Sequence, residues 1–532
     1  MQRFAALLER LALSPQRLAK LRLLKEYFSD TPDPDRGWGL AAIAGALDLP
    51  TVKPALLRAL AEERADPVLF ALSYDYVGDL AETVALIWGE SRPGPNDLGL
   101  ASVVARLRAT AKSEAPGVLA GYLDALDPSG RYALLKLSTG ALRIGVSARL
   151  AKQALAEWGD IDIIEIEELW HGLEPPYESL FAWLEGRADK PAQAALAPFR
   201  PVMLANPVEA GDLDARAPAE YAAEWKWDGI RVQATAEGGV RRLYSRTGDD
   251  ISHAFPDLIE AMAYEGCLDG ELLVARREDE GEGVRIASFS DLQQRLNRKS
   301  VSAKLRASHP AFLRAYDLLA EGCENLRPLP WSARRARLTA LVGRLDPTRF
   351  DVSEQITFTE WDEIARLRAA PPHPVIEGVM LKHRDSAYVP GRPKGPWWKW
   401  KKDPHTIDAV LMYAQRGHGK RSSFYSDYTF GVWARDGTLV PVGKAYFGFT
   451  DEELRQLDKY VRDNTTERYG PVRAVRADPG QGLVLEIAFE GLARSPRHKS
   501  GVAMRFPRIA RLRWDKPAAE ADRLETLEAL LA

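Results

Sequence analysis

The stretch Glu224-Trp225-Lys226-Trp227-Asp228-Gly229-Ile230-Arg231 decides the reading of this chain. Strand-like runs lie on both sides of it, EYAAEW before and IRVQATA after, with Asp228-Gly229 as the break between them. Lys226 therefore stands at a strand end, before a turn and between two tryptophans. A lysine whose only task is to meet water has no need of such neighbours. Partial burial favours the uncharged amine, and an uncharged amine can attack phosphorus. A lone K-x-D-G is nevertheless weak, because an exposed strand-end lysine reads the same way. The assignment depends on what else the chain carries.

Working outward, Glu237-Gly238-Gly239 marks a hairpin turn, and helical segments follow, so the middle of the chain reads as mixed α+β. REDEGEGVR (277–285) reads as a solvated surface loop. After Asp403 the runs TIDAVLMY, YTFGVWAR, TLVPVGKAYF and LVLEIAF read as strands, with Asp436-Gly437 as a hairpin turn. Thr450 and Glu453 form a capping-box pattern ahead of Leu454, Leu457 and Val461, which predicts one helix. A small β unit interrupted by one helix suits an OB-type barrel.

Upstream, Met1 to about Leu184 reads as helices. Apolar residues recur at helical spacing in Phe4, Leu7, Leu8, Leu11, in Leu80, Val84, Ile87, and in Val103, Val104, Leu107. SRPGPND (91–97) and DPSGR (127–131) punctuate them, and the Ala- and Pro-rich EGRADKPAQAALAPFRP (185–201) reads as an interdomain linker. A length of 532 residues fits three domains, placed at 1–195, 196–402 and 403–532.

Composition is that of an ordinary globular protein, 46% hydrophobic and 28% charged. A net charge of −3 argues against a nucleic-acid binder by bulk charge, so such contacts need local basic runs such as Arg295–Lys299 and Lys394–Lys402. Cys267 and Cys323 are too few for a disulfide framework or a four-cysteine zinc site, and both are expected reduced and buried. The eight histidines show no metal-ligand spacing. The first helix lacks the continuous apolar core of a signal peptide, and no run is long enough to span a membrane. A soluble cytoplasmic protein is expected.

Further motifs follow Lys226 in chain order. They are Ser245-Arg246-Thr247-Gly248, Asp269-Gly270-Glu271, Tyr316-Asp317, Glu377-Gly378-Val379-Met380-Leu381-Lys382 and Lys399-Trp400-Lys401. Arg505-Phe506-Pro507-Arg508 then leads to Arg513-x-Asp515-Lys516. With these, the chain resembles the covalent nucleotidyltransferases, and specifically the ATP-dependent DNA ligases. The resemblance implies an α+β nucleotidyltransferase domain followed by an OB-fold β-barrel.

Adenylyl transfer needs a nucleophile, cations and a metal, because phosphoryl chemistry is mostly positioning and charge neutralisation. Lys226 is the expected nucleophile, forming a phosphoramidate with AMP. Glu271 and Glu377 are hard oxygen ligands suited to Mg²⁺, with Mn²⁺ able to substitute. Taken singly, each glutamate also reads as a strand-end surface acid. Lys399 and Lys401 alternate along a strand, share a face and can both approach the α-phosphate; singly they read as a basic strand edge. The resemblance assigns Glu224 to the adenine amino group, Tyr316 to stacking on adenine, and Arg231 and Arg246 to the ribose, nucleotide or nick phosphate. Arg392 joins the nucleotide-binding set. Arg505, Asp515 and Lys516 would orient the leaving pyrophosphate from the barrel. That role implies a barrel that closes over ATP and then swings away, with Lys402-Asp403-Pro404 as the hinge.

Two helical stretches, Tyr76 to Thr83 and Lys136 to Val146, resemble the all-helical DNA-binding domain of the same enzymes. There Gly140 and Gly145, beside Arg143, would let backbone amides approach DNA phosphates. The implied partner is nicked duplex DNA, bound by a monomer. The missing cysteine cluster favours ATP over NAD. Two other readings stay open: an RNA ligase or capping guanylyltransferase, which share the lysine motif, and a catalytically silent DNA-binding scaffold.

Overall fold

The computed structural model describes the chain except residues 91–94, 96, 141, 192–195, 278–282, 297, 299, 417–423, 497 and 532, and the side chains of 75 and 76. Most of the expected break at 91–97, much of the expected loop at 277–285, and Asn297 and Lys299 of one basic run lie outside the described residues. Contacts divide the chain into two compact units, Lys152–Asp403 and Met1–Ala151 with Pro404–Ala532. The boundary at Asp403/Pro404 coincides with the expected hinge.

Among the described residues no strand precedes Asn206, so the N-terminal region is helical as its periodicity predicts. The helix Gln2–Leu13 buries Phe4, Leu7, Leu8 and Leu11, its apolar stripe. Asp79 caps the helix Leu80–Ile87 through the Glu82 amide at 3.1 Å. Gly140, at φ 70°, ends the helix Pro128–Thr139. No helix among the described residues is long and apolar enough to cross a membrane.

In the C-terminal segment His405–Arg416 pairs with Tyr425–Trp433, Val472–Val475 and Val484–Phe489, and Val484–Phe489 pairs in turn with Arg508–Arg513. Ile407, Leu411, Phe430, Leu485 and Ile487 fill the core, and the helix Asp451–Asp463 adds Leu457 and Val461. Thr450 and Glu453 form the predicted capping box. The hairpin Thr465–Tyr469/Val472–Val475 was not legible, because its outward residues carry no apolar alternation.

The middle of the chain folds as two sheets. One runs Asn206–Pro207, Trp397–Lys401, Ile376–His383, Tyr221–Trp227, Gln355–Ile356 in spatial order. The other runs Val240–Ser245, Ile230–Glu237, Gly266–Arg277, Ala311–Glu321, Glu324–Asn325. Gly238 and Gly239, at φ 55° and 80°, make the predicted hairpin turn. The chain passes from the first sheet to the second at Asp228-Gly229, within the stretch quoted at the outset.

Three expectations change. Arg295 is no surface charge: it is fully buried and bonds both oxygens of Asp257, at 2.9 and 2.5 Å. Cys323 is exposed, and only Cys267 is buried. The expected linker is packed from Ala197 onward, where Tyr244 Oη donates to the Ala197 carbonyl at 3.0 Å and Phe199 is buried.

Candidate active site

Strand register places the motif residues. Lys226, Gly378 and Lys401 form one row across the first sheet, and Glu224, Met380 and Lys399 form the next. Alternation puts all six on one face. The opposite face carries Trp225, Val379, Leu381 and Trp398 in an apolar cluster. One residue breaks the alternation. Ile376 pairs with Trp227 and Gly378 with Lys226, leaving Glu377 as the extra residue of a bulge. A bulge re-aims its side chain, and here it brings Glu377 onto the lysine face. Glu377 accepts from Lys226 on one oxygen and from Lys401, at 2.9 Å, on the other. Gly378 is required at this point: at φ 150° a Cβ would lie 2.3 Å from the Trp400 carbonyl oxygen.

The turn Asp228-Gly229 brings the second sheet to the lysine. A Cβ on Gly229 would lie 2.5 Å from the Leu272 carbonyl oxygen and 2.9 Å from Glu271 Cγ, so the glycine permits this approach. Glu271 accepts no hydrogen bond and makes no ion pair among the described residues. Burial pushes its carboxyl up to about 8, with Lys226 opposing and Glu377 reinforcing the shift. Burial alone would raise Glu377 as well, but Lys226 and Lys401 hold it below the usual carboxylate range. Burial lowers the Lys399 ammonium, and Arg392, Lys226 and Lys401 lower it further by repulsion. Lysines 226, 399 and 401 with Arg392 thus form a cation cluster able to hold phosphates.

A second group adjoins the first along the same face. Glu224, 1% exposed, accepts from Lys382 Nζ and Arg335 Nη1, each at 2.8 Å. Lys382 Nζ lies 4.5 Å from the Tyr316 ring centre and 4.8 Å from that of Trp397. Arg231 grips Asp269 with two nitrogens, at 3.0 and 2.6 Å, and donates to the Met203 carbonyl at 2.6 Å and Tyr388 Oη at 3.0 Å. Its guanidinium sits 5.8 Å from the Tyr316 ring centre.

A family model described as ATP dependent DNA ligase domain matches residues 202–401, and one described as ATP dependent DNA ligase C terminal region matches 421–516. A protein named probable DNA ligase from Koribacter versatilis is 31% identical over 571 residues, covering 100% of this chain and 96% of that one. The chain belongs to the ATP-dependent DNA ligase family. Another probable DNA ligase, from Streptomyces avermitilis, is 31% identical over 99% of this chain and 98% of its own length. Among solved structures, Pmar-Lig_PreS3 covers 96% of this chain and 99% of its own with a TM-score of 0.60, at 17% identity, a likeness of fold.

Within this ligase the structure joins Lys226, Glu377 and Lys401 directly and sets Glu271, Lys399 and Arg392 beside them. Glu224, Tyr316 and Arg231 form the adjoining group. Arg246 is on an exposed turn, with no hydrogen-bond or ion-pair partner among the described residues. His171 packs against that turn, 3.0 Å from where a Cβ on Gly248 would sit. Arg505, Asp515 and Lys516 belong to the other compact unit, where Lys516 and Arg513 both bond Asp408, at 2.7 and 3.1 Å.

Gly140, Arg143 and Gly145 belong to that unit as well. There Lys20 Nζ donates to the Ile144 and Gly145 carbonyls at 2.6 and 2.9 Å. Asp79 bonds Lys136 at 2.5 Å and lies 3.8 Å from Arg143, so the two helical motifs meet at one carboxylate. Sequence reasoning missed Arg335, which stands in the helix Trp331–Val342 with no motif around it. It also gave no role to Lys382, although that residue ends a quoted motif.

Proposed function

We propose that this ligase seals 3′-hydroxyl/5′-phosphate nicks in duplex DNA through AMP carried on Lys226. The observation that carries the reading is Glu377 at its bulge, bonded to Lys226 and Lys401 with Glu271 alongside. In the first step Lys226 Nζ forms a bond to the α-phosphorus of ATP, the bond from that phosphorus to the bridging oxygen breaks, and pyrophosphate leaves. Glu377 already accepts a hydrogen bond from Nζ and holds it toward the pocket. Lys399 and Lys401 face the charge that develops on the phosphate oxygens. AMP then passes to the 5′-phosphate of the nick, and the 3′-hydroxyl displaces it. Holding all three displacements in one pocket makes each effectively unimolecular.

A divalent cation fits the donors present. Glu271 is an uncommitted carboxyl beside Glu377 that a bound cation would hold in its ionised form, and no group of three or more acidic, histidine or cysteine side chains stands ready among the described residues. Two carboxylates completed by phosphate oxygens and water suit Mg²⁺, which binds few protein ligands. When bound it would neutralise charge on the phosphates.

Glu224 and Tyr316 take the adenine, and Arg231, Arg246 and Arg392 the remainder of the nucleotide or the nick. The helical region 1–195 is assigned to DNA, with Gly140, Arg143 and Gly145 against phosphates. The nucleotidyltransferase domain spans 196–402, and the barrel, 403–532, brings Arg505, Asp515 and Lys516 to pyrophosphate by turning at the Asp403/Pro404 boundary. The protein acts as a monomer in the cytoplasm.

Incubation with Mg²⁺ and α-labelled ATP, beside GTP and NAD, tests this on a denaturing gel. The wild type retains label from ATP, Lys226→Ala does not, and the labelled protein seals a nicked duplex. If pyrophosphate-stripped protein stays unlabelled, the ligase mechanism fails and the silent scaffold replaces it. Label from GTP, or sealing of RNA alone, would instead select the capping enzyme or the RNA ligase.

A further inference from the structure

Three charged side chains are buried together farther along the lysine face. Glu224, Lys382 and Arg335 are 1%, 1% and 9% exposed. Such a group is an expensive way to fill a core, since apolar residues of similar volume commonly give equal or greater stability. The cost is higher here because Arg335 Nε is buried without an acceptor among the described residues. Stability does not account for the group, and its geometry offers another reason.

Glu224 is gripped from two directions. Arg335 reaches Oε1 from the helix Trp331–Val342, and its other terminal nitrogen donates to the Ser353 carbonyl. Lys382 reaches Oε2 from the neighbouring strand, and the same ammonium donates to the Tyr316 carbonyl at 3.2 Å. Each cation therefore has a second anchor on a different element, and the carboxylate plane is fixed. Lys382 also ties Glu224 to the aromatic ring assigned to the base, at 4.5 Å from its centre.

A carboxylate paired with two cations accepts hydrogen bonds and has no proton to offer. It rewards a donor on the base and repels an acceptor in the same place. We propose that Arg335 and Lys382 are positioning residues that fix Glu224 as an acceptor, and so make the enzyme select a 6-amino purine nucleotide over a 6-oxo one. This rests on the assignment of Glu224 to the adenine amino group. Discrimination of this kind is large when a site built around one polar group meets an analogue that cannot pair with it.

The test compares α-labelled ATP with α-labelled ITP, which carries oxygen where adenine carries its amino group. Rates of lysyl-nucleotide formation are read against concentration in the full-length protein. Arg335→Gln and Lys382→Gln should lower the ATP-to-ITP ratio of kcat/KM at least about tenfold, mostly through a higher KM for ATP. Lys382→Arg should restore most of the ratio. Arg335→Lys, whose donors all sit on one nitrogen and so lose the forked reach to both Glu224 and Ser353, should restore part of it. Equal losses for both nucleotides, with the ratio unchanged, would reduce both residues to structural parts and overturn the proposal.

If the glutamine variants do not fold, the conservative pair decides. An Arg335→Lys enzyme with the full wild-type ratio overturns the proposal. Failure of the underlying reading looks different: wild-type protein would form no lysyl-nucleotide from ATP, or Glu224→Gln would leave the ratio untouched.

Discussion

Glu377 and Lys226 meet because a single extra residue interrupts the strand Ile376–His383 opposite the lysine. In regular pairing Glu377 would point to the apolar face with Val379 and Leu381. The bulge turns it over, and Lys401 closes on its second oxygen at 2.9 Å. The lysine of the first motif, the glutamate of the fifth and a lysine of the sixth are thereby joined by one backbone irregularity.

In the proposed mechanism, Glu377→Ala removes both a metal ligand and the partner that holds Lys226. Self-adenylylation should fall at least about 100-fold, with the melting temperature little changed. Single-turnover labelling with ATP measures it, and wild-type labelling by the variant would remove Glu377 from the site.

Gly378→Ala tests the bulge itself. The new Cβ would lie 2.3 Å from the Trp400 carbonyl oxygen at φ 150°. A loss of about 2–4 kcal/mol is expected, together with loss of self-adenylylation. Denaturant unfolding and the labelling gel report the two effects, and an alanine variant with wild-type values would show that the strand tolerates a regular register.

Acid should weaken the fold through His171. Burial, helped by Lys152, pushes its pKa from 6.5 down to about 4. Between those values the unfolded chain binds a proton that the folded chain refuses, so stability present above pH 6.5 is lost as pH falls toward 4. At pH 5 the loss is about 1–2 kcal/mol. His171→Phe should lose less stability than the wild type between pH 7 and pH 5 in paired thermal melts. Identical pH dependence would place the acid-sensitive group elsewhere.

Arg143 is 62% exposed and only loosely paired with Asp79, at 3.8 Å, which leaves it available to a phosphate. Arg143→Ala should weaken binding to nicked DNA severalfold and lower the magnitude of its salt slope by about 1. Labelling by ATP should not change. A salt slope equal to that of the wild type would take Arg143 off the DNA.

Much of this was legible in the sequence, for identifiable reasons. The amphipathic helix at Gln2–Leu13, the glycine turn at Gly238-Gly239 and the Thr450/Glu453 cap are each written in a handful of adjacent residues. Glu377 was legible as a motif residue but its inward aim was not, since that depends on pairing with the strand that carries Lys226, 151 residues away in sequence. Arg295 read as surface charge because a buried arginine differs from an exposed one only by its partner, here Asp257, 38 residues upstream. Arg335 was invisible for the same reason: its partner Glu224 lies 111 residues away.

The proposed mechanism stands on a covalent bond between Lys226 and AMP. The most direct measurement is peptide mass spectrometry of the full-length protein after incubation with ATP and Mg²⁺, with a pyrophosphate-treated sample beside it. One adenylylated residue is expected, Lys226, and its modification disappears with pyrophosphate or on addition of nicked DNA. Modification at Lys399 or Lys401 in place of Lys226, or none in protein first stripped with pyrophosphate, would contradict it.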